Sequence, residues 1–377
     1  MKNIITSFLL LVTTISIAQV ANSVESIPNG YYNSATGTGY TLKTQLFNII
    51  NDHTDRDYNG LYITYLTSDI DNYYENNGTM LDMYTENPTG TECEYEYGGG
   101  LQDDGTLGTA ECQRYNREHI VPQSYFGNGV RPMFSDAHFV VPSDKYVNAQ
   151  RGDFPFGKVN NATSTYSNGS KRGSNLNSGY SQGFSGTVFE PIDEFKGDIA
   201  RMLFYFATRY EDRLVDFYAT SNSLSKVMFD GSTGQSFSPT FLNILLTWNE
   251  QDGVSQREID RNNAIGVNAR QGNRNPYIDN NGYITQIWGL PLSTSTFNNL
   301  DLVSVYPNPS NNGKINIQSE VELSEINIIT INGQLVQQIK SPEKLDNTYE
   351  VTNLPKGFYF LQLNANNQSV TKKIAVN

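Results

Sequence analysis

The spacing of the apolar residues changes near residue 301, and this change constrains the fold more than any other feature of the chain. In the segments "GKINIQ", "SEINIITI" and "GFYFLQLNA", apolar residues alternate with polar ones or run in short lengths, which is typical of β-strands. Asn332–Gly333, between two such segments, predicts a type I′ hairpin. Residues 302–377 therefore predict a small all-β sandwich, and the polar stretch 290–301 before them predicts a linker.

Before the linker, the apolar residues follow a helical period. Helices are expected in four segments, 41–53, 193–212, 238–252 and 255–273. The second of these carries an apolar run that suits the core, and the last two each begin at a serine that can cap them. The polar segment 159–183 predicts a loop beside a site. Because strands are few, residues 19–289 predict a mainly helical α+β domain.

The N-terminal sequence "MKNIITSFLLLVTTISIAQV" has the parts of a secretory signal. Lys2 gives a positive start, an apolar run follows, and Ser16 and Ala18 are small residues ahead of a cleavage point. A membrane anchor is the alternative, but the run is shorter than the roughly 20 residues that span a bilayer. We expect a signal peptide over residues 1–18, cleavage before Gln19, and export through the periplasm.

Cys93 and Cys112 are the two cysteines of the chain. In an exported protein, a pair separated by a short glycine-rich stretch predicts a disulfide, because oxidising compartments favour that bond. A metal site would need more ligands at suitable spacing than this pair offers.

Glu118 and His119, within "YNREHIVPQS", are the first candidates for chemistry. Hydrolysis of a phosphodiester needs a base to activate water and a divalent cation to hold the phosphate. A carboxylate is a hard ligand for such a cation, and an imidazole titrates near neutrality. Adjacent strand side chains point to opposite faces, so the pair can serve one phosphate only where the strand bends or ends, as Pro122 suggests. The alternative is a strand end that merely contains two titratable groups.

The segment "FSDAHFVVPSDKYVNAQRGDFPFG" predicts a second strand followed by a helix. "HFVV" is a short apolar strand, Ser143 is placed to cap a helix, and Gly152 is placed to end it. Asn148 and Arg151 share one face of that helix and offer a neutral oxygen for a metal and a guanidinium for phosphate. This order predicts a ββα-metal motif, in which a strand histidine faces a helix asparagine across one cation.

These segments resemble the bacterial secreted endonuclease I family. The resemblance extends over most of residues 28–289 and includes "NREHIVPQS", "SDAHFVVPSDKYVNAQRGDFPFG", "MLDMYTENPTG" and "QREIDRNNA". It implies a general base, two metal ligands and one phosphate-binding arginine, which fall on His119, on Glu118 and Asn148, and on Arg131 or Arg151. It implies Mg²⁺ as the metal, with Mn²⁺ or Ca²⁺ as alternatives.

Three further positions need an interpretation. An acidic residue that family members often carry before the "SD" step is replaced here by Phe134. His138 lies in the apolar strand and is expected to be a hydrogen-bonded core histidine. His53, at a helix end beside acidic residues, is expected to be a surface or capping residue.

The net charge of −13 argues against a general coat for nucleic acid, but basic residues gather near the motif. They are Arg114, Arg117, Arg131, Lys145, Arg151, Lys158, Lys171 and Arg172. Among them, Arg117, Lys145 and Lys158 are candidates for contacts to nucleic acid. We expect a monomeric, largely nonspecific endonuclease on DNA, with RNA as a further substrate. The competing hypothesis is an inactive nuclease-like surface protein that binds polyanions or glycans.

The C-terminal sequence resembles a sorting domain of the type IX secretion system. The segments that carry the resemblance are "VSVYPNPSNNGKINI" at its start and "GFYFLQLNANNQSVTKKIAVN" at its end. A carbohydrate-binding sandwich is the alternative, which the lack of a clear aromatic platform disfavours. The resemblance implies that the secretion machinery is a partner and that the protein is secreted or held at the cell surface.

Overall fold

The computed structural model describes residues 27–106, 108–289, 303–319, 321–365 and 368–377. It divides between Gly289 and Leu290 into two compact units, each with its own hydrophobic core. The predicted signal peptide with its cleavage before Gln19, and the predicted linker, lie outside the described residues. Within the described ranges, no helix is both long enough and apolar enough to cross a membrane.

The first unit is mainly helical, as the sequence predicts. Its α-helices are α1 (Gly39–Ile50), α2 (Asp57–Ser68), α3 (Gln123–Phe126), α4 (Lys145–Arg151), α5 (Lys196–Arg209), α6 (Leu214–Thr220), α7 (Pro239–Gln251), α8 (Gln256–Gly266), α9 (Pro276–Asp279) and α10 (Gly282–Trp288). Its strands are β1 (Tyr115–His119), β2 (Val140–Asp144), β3 (Val159–Thr165), β4 (Lys171–Asn175) and β5 (Thr187–Glu190). Strands β1 and β2 form an antiparallel pair, and β3, β4 and β5 form an antiparallel sheet.

Helix α5 lies at the centre of this unit, and all of its residues are buried. Its apolar side chains belong to the main core, which confirms the sequence prediction for this segment. Its Arg201 donates to both carboxylate oxygens of Glu258 in α8, at 2.6 and 2.8 Å. A buried charge is costly unless it is paired, so this ion pair fixes α8 against α5.

The two predicted serine caps have different outcomes. Ser255 accepts from the backbone N–H of Glu258 while the Glu258 side chain accepts from the backbone of Ser255, which makes a capping box at the start of α8. Ser238 precedes α7 without capping it, because its hydroxyl donates to the carbonyl of Val227 at 2.8 Å. Pro239 follows at a position where a helix needs no N–H donor.

The segment 159–183, predicted as a loop, is largely a hairpin. Strands β3 and β4 pair on either side of Asn168–Gly169, and Gly169 has a φ of +99°. Gly173 in β4 approaches β3 so closely that a Cβ there would meet the carbonyl oxygen of Asn161 at 2.0 Å. The prediction was wrong because β3 is exposed along most of its length and lacks alternating apolar residues.

The second unit is an all-β sandwich, as predicted. Its strands are β6 (Ser304–Tyr306), β7 (Ile315–Gln318), β8 (Glu325–Thr330), β9 (Leu335–Lys340), β10 (Thr348–Val351), β11 (Gly357–Ala365) and β12 (Gln368–Val376). They form two antiparallel sheets, in the orders β10-β7-β6 and β12-β11-β8-β9. Ile315 and Ile317 from the first sheet share one buried core with Ile326, Ile328 and Leu361 from the second.

The hairpin between β8 and β9 is real, but its predicted type I′ turn is wrong. Gly333 has a φ of +82°, whereas Asn332 is not among the residues with positive φ. The N–H of Thr330 donates to the carbonyl oxygen of Gln334 at 2.8 Å across a three-residue loop. The strand register shifts between Ile328 and Ile329, close to this loop. Three-residue loops need one left-handed residue rather than two, and Gly333 provides it.

Asp144 joins three elements around the start of α4. Its side chain accepts from the N–H of Val147 at 2.8 Å and so caps the helix. It also accepts from the hydroxyl of Tyr95 and from the N–H of Cys112, which forms a disulfide with Cys93. The cap is therefore Asp144, the last residue of β2, and not the predicted Ser143, so the helix begins one residue later than the sequence suggests.

The Asp144→Ala variant is expected to lose about 2–4 kcal/mol of unfolding free energy, because it removes a helix cap and leaves the buried hydroxyl of Tyr95 without its acceptor. Urea unfolding in EDTA measures this loss. Asp212→Ala, at an exposed position, is the control and should change little. Equal stability of the two variants would show that Asp144 does not hold these elements together.

Candidate active site

Strand β1, strand β2 and helix α4 form the frame of the candidate site. Glu118 pairs with Val141 and His119 with Val140 in the antiparallel ladder. Helix α4 starts directly after β2 and packs against both strands. This is the strand-strand-helix order that the sequence predicts, and it places Glu118, His119 and Asn148 on adjoining elements.

Glu118 is 2% exposed, and its carboxylate is held by two donors. The hydroxyl of Tyr84 donates to Oε1 at 2.7 Å, and Nη1 of Arg151 lies 3.0 Å from the same oxygen. Because both donors use Oε1, neither of them occupies Oε2. Burial raises the pKa of Glu118, while Arg151 and Tyr84 oppose that change by favouring the ionised form.

His119 is the last residue of β1, and its ring is fixed from several sides. Nε2 lies 3.1 Å from the carbonyl oxygen of Phe134. The ring stacks on Phe134 at 5.5 Å between centroids and on Tyr58 at 5.9 Å. Since a carbonyl oxygen only accepts, Nε2 carries the proton and Nδ1 keeps its lone pair. The amide nitrogen of Gln123 approaches Nδ1 to 3.5 Å.

Burial lowers the pKa of His119 to about 3, and the nearby charges of Arg117 and Arg151 act in the same direction. The hydrogen bond to the Phe134 carbonyl works against this lowering. The imidazole is therefore neutral at ordinary pH, which is the form that accepts a proton.

Asn148 lies on α4 and is half-buried. Its amide nitrogen donates to Oδ1 of Asn116 at 2.8 Å and to the carbonyl of Arg117 at 3.3 Å. Because both of these partners are acceptors, the amide atom that faces them is the nitrogen. The side-chain oxygen of Asn148 therefore points away from Asn116 and the Arg117 carbonyl. Together with Glu118, this oxygen makes a small, hard donor set that fits a divalent cation completing its shell with water and phosphate.

Arg151 is fully buried. Its two terminal nitrogens donate to the carbonyls of His119 at 3.0 Å and Ile120 at 2.9 Å, and it also pairs with Glu118. The guanidinium further lies over the ring of Phe156. This burial does not fit the phosphate contact predicted for Arg151, because the guanidinium is already engaged inside the protein.

Arg131 has the exposure that a phosphate ligand requires, with 51% of its side chain accessible. Its Nε donates to Asp55, which also accepts from Ser135. Arg131 precedes the 3₁₀ turn Met133–Ser135, whose carbonyl at position 134 holds His119. Of the two predicted arginines, Arg131 is the one that faces solvent.

The three predicted nucleic-acid contacts lie in different settings. Arg117 stacks over the rings of Tyr58 and Tyr62, at 3.4 and 4.2 Å from their centroids. Lys145 and Lys158 are each paired with an acid at 2.7 Å, Asp103 and Glu190 respectively. These acids offset part of the positive charge that the sequence suggests around the motif.

The other histidines serve the core. His138 is 1% exposed, and its Nε2 lies 3.0 Å from the carbonyl of Asn273, as expected for a core histidine. His53, predicted as a surface or capping residue, is partly exposed, and its Nδ1 accepts from Nε of Arg209 at 3.0 Å.

Sequence reasoning assigned no role to Tyr84, Tyr58 or the carbonyl of Phe134. Tyr84 lies in "MLDMYTENPTG", so the resemblance contained this residue without revealing its hydrogen bond to Glu118. The carbonyl of Phe134 leaves no trace in a sequence, because every residue has one.

Comparison with known proteins identifies the family of the chain. The family model for Endonuclease I matches residues 38–282, and that for the secretion system C-terminal sorting domain matches residues 304–377. The extracellular ribonuclease of Bacillus amyloliquefaciens is 33% identical over 263 residues, which cover 68% of this chain and 78% of that protein. The extracellular ribonuclease of Bacillus subtilis (strain 168) is 32% identical with the same coverage. The chain belongs to the endonuclease I family, a family of nucleases, and ends in a type IX secretion system sorting domain.

Proposed function

We propose that this protein is an exported, metal-dependent endonuclease that hydrolyses phosphodiester bonds of DNA and RNA without reading bases. The observation that carries the proposal is the fixed tautomer of His119 beside Glu118 and Asn148. The Nε2–H group is held by a carbonyl, which leaves Nδ1 as a proton acceptor. Two oxygen donors for a cation lie on the same strand and on the helix that packs against it.

Glu118 and Asn148 would hold the metal ion. The cation, when bound, supplies positive charge that polarises the scissile phosphate and stabilises the charge that develops on it. Mg²⁺ is the first candidate, because it accepts a few protein oxygens and keeps several waters; Mn²⁺ and Ca²⁺ are the alternatives.

His119 acts as the general base. Its Nδ1 takes a proton from the attacking water, the water oxygen forms a bond to phosphorus, and the bond to the leaving sugar oxygen breaks. The Phe134 carbonyl then accepts from an imidazolium, and such a charge-assisted hydrogen bond is stronger than a neutral one. The packed rings of Phe134 and Tyr58 keep the imidazole from rotating away.

Arg151 is a positioning residue in this scheme. It links the backbone at positions 119 and 120 to the carboxylate of Glu118, and so sets the base and the metal ligand relative to each other. Arg131 is the proposed phosphate ligand, because a guanidinium exposed near the Phe134 turn suits a phosphate oxygen. We assign Arg117, Lys145 and Lys158 to the outer part of the proposed substrate surface.

Both DNA and RNA fit this mechanism. The nucleophile is water, so the reaction does not need the 2′-hydroxyl that distinguishes RNA from DNA. The proposed contacts are to phosphate, which carries no sequence information. The relatives that match this chain are named ribonucleases, which supports activity on RNA in addition to DNA.

The sorting domain supports secretion or display at the cell surface. We propose that a signal peptide over residues 1–18 takes the chain into the periplasm, and that the second unit then engages the type IX machinery. We further propose that the nuclease acts as a monomer.

The purified protein is expected to nick supercoiled plasmid and to degrade RNA in Mg²⁺, and EDTA should abolish both activities. His119→Ala should lower both rates by about 10²–10⁴-fold, because it removes the base. His53→Gln, at the histidine bound to Arg209, is the matched control and should retain activity. Circular dichroism of both variants reports folding.

Two outcomes would contradict the proposal. A wild-type protein that binds nucleic acid without cleaving it would be the polyanion-binding surface protein of the competing hypothesis. A folded His119→Ala variant with near-normal rates would exclude His119 as the base.

Glu118→Gln and Asn148→Ala are expected to shift the Mg²⁺ concentration at half-maximal activity upward by about tenfold or more, because each removes one of few protein ligands. Metal titrations of the cleavage rate measure the shift. Asn161→Ala, on the exposed face of β3, is the control for loss of an asparagine. Unchanged midpoints in both site variants would show that these residues are not ligands.

A chain that ends at Asn299 is expected to remain an active nuclease and to stay inside the producing cell. The first unit has its own core, and the candidate site lies wholly within it, so loss of the second unit should leave the site unchanged. Cell fractionation and a plasmid assay on the purified truncate decide both points. Normal export would remove the sorting role, and an inactive but folded truncate would make the second unit part of the active enzyme.

A further inference from the structure

Four acidic residues gather between α2 and β1, away from the residues of the candidate active site. One carboxylate oxygen from each of Asp71, Glu75 and Glu92 lies within 4.8 Å of the others. Among the described residues, none of these three shares a hydrogen bond or ion pair with Glu118 or Asn148. A group of acids alone proves no ligand, so the fourth residue, Glu86, decides the interpretation.

Glu86 is 1% exposed, and among the described residues neither of its carboxylate oxygens has a hydrogen-bond partner. Its carboxyl group lies against that of Glu92, and Glu75 and Asp71 are also close enough to act on its charge. A buried acid without a donor is a costly arrangement that native proteins rarely retain without a bound partner.

Asp71 has a different part in the cluster. Its two oxygens each accept two backbone N–H groups, from residues 73 to 76, at 3.0 to 3.1 Å. These bonds use its lone pairs and hold the loop in shape, while its negative charge remains beside the other acids. Glu75 and Glu92, whose oxygens lie within 4.8 Å of each other, therefore have lone pairs to offer, and so does Glu86, whose carboxyl group lies against that of Glu92.

Within the part of the chain that the structure describes, no basic side chain forms an ion pair with this cluster. In the ion pairs within residues 27–106 and 108–289, no lysine or arginine joins any of the four acids. Either a proton shared between Glu86 and Glu92 or a bound cation can relieve this repulsion. A proton relieves one contact only, whereas a divalent ion interacts with all four charges at once.

We propose that Glu75, Glu86 and Glu92 bind a calcium ion, with Asp71 adding charge and shaping the loop. Carboxylate oxygens suit a hard cation, and the set contains no sulfur or imidazole for zinc. Glu86 is buried, Glu92 half-buried and Glu75 exposed, so water can complete the outer side of the shell. Ca²⁺ accepts six to eight oxygens in irregular geometry, whereas Mg²⁺ demands a near-ideal octahedron.

The ion would join two stretches of chain that support the first unit. Glu75 belongs to the loop that follows α2, whereas Glu86 and Glu92 belong to the segment that carries Tyr84 and the disulfide residue Cys93. Tyr84 donates to Glu118, so a cation bound two residues further along would steady the segment that orients this carboxylate.

Equilibrium dialysis of the full chain against Ca²⁺, together with thermal unfolding in Ca²⁺ and in EDTA, tests the proposal. Wild type should bind one calcium ion more per chain than Glu86→Gln does, and its midpoint should rise by several degrees in Ca²⁺. In EDTA, Glu86→Gln should be the more stable protein, since it removes repulsion. Glu94→Gln, a nearby exposed position, should bind and unfold like wild type. Asn148→Ala should keep the calcium ion that Glu86→Gln loses.

Glu92→Gln is the second variant, in case Glu86→Gln does not fold. Equal calcium binding and equal midpoint shifts in wild type and the folded site variant would overturn the proposal. An unfolding midpoint that does not change with Ca²⁺ would also overturn the proposal, and it would indicate a proton shared between Glu86 and Glu92. An equally large shift with Mg²⁺ alone would overturn the choice of calcium.

Discussion

The buried guanidinium of Arg151 is the interaction on which the candidate site depends. It comes from the last turn of α4 and bonds to two carbonyls at the end of β1 and to the carboxylate of Glu118. Removing one partner of a buried ion pair typically lowers the unfolding free energy by about 3–5 kcal/mol, because the other charge is left buried without a partner. The helix, the strand end and the proposed metal ligand Glu118 therefore keep one relative arrangement.

Strand alternation explains how two adjacent residues can have different tasks. Asn116 and Glu118 contact residues of α4, namely Asn148 and Arg151. The side chains of Arg117 and His119 both contact Tyr58 of α2 instead. The side chains at even positions thus face the proposed metal ligand of α4 and those at odd positions face the other side, with the proposed base, as the period of two requires. The two sides can meet only where β1 ends, and His119 is its last residue.

The sequence predicted those features that depend on local pattern. The helix predicted after the apolar segment 138–141 is present and ends at Arg151, but the strand before it runs from Val140 to Asp144, so His138 and Phe139 lie in the turn that precedes it. The sequence did not predict the hairpin of β3 and β4, because an exposed strand has no alternation of apolar and polar residues. The burial of Arg151 was not predicted for another reason. Helical spacing shows that Arg151 shares a face with Asn148, but it does not show how deeply that face is buried. The contact between Tyr84 and Glu118 joins residues 34 apart, and no local pattern encodes it.

The group that orients His119 is a main-chain carbonyl, and this has a consequence for how such a site changes over generations. A point mutation at position 134 exchanges the ring but leaves the main-chain carbonyl in place. No amino-acid substitution at this position therefore removes the group that orients His119. Successive mutations can therefore change the side chain that packs against His119, while its proton stays on Nε2. Side-chain identity at position 134 is therefore a poor guide to whether the bond that orients His119 is present.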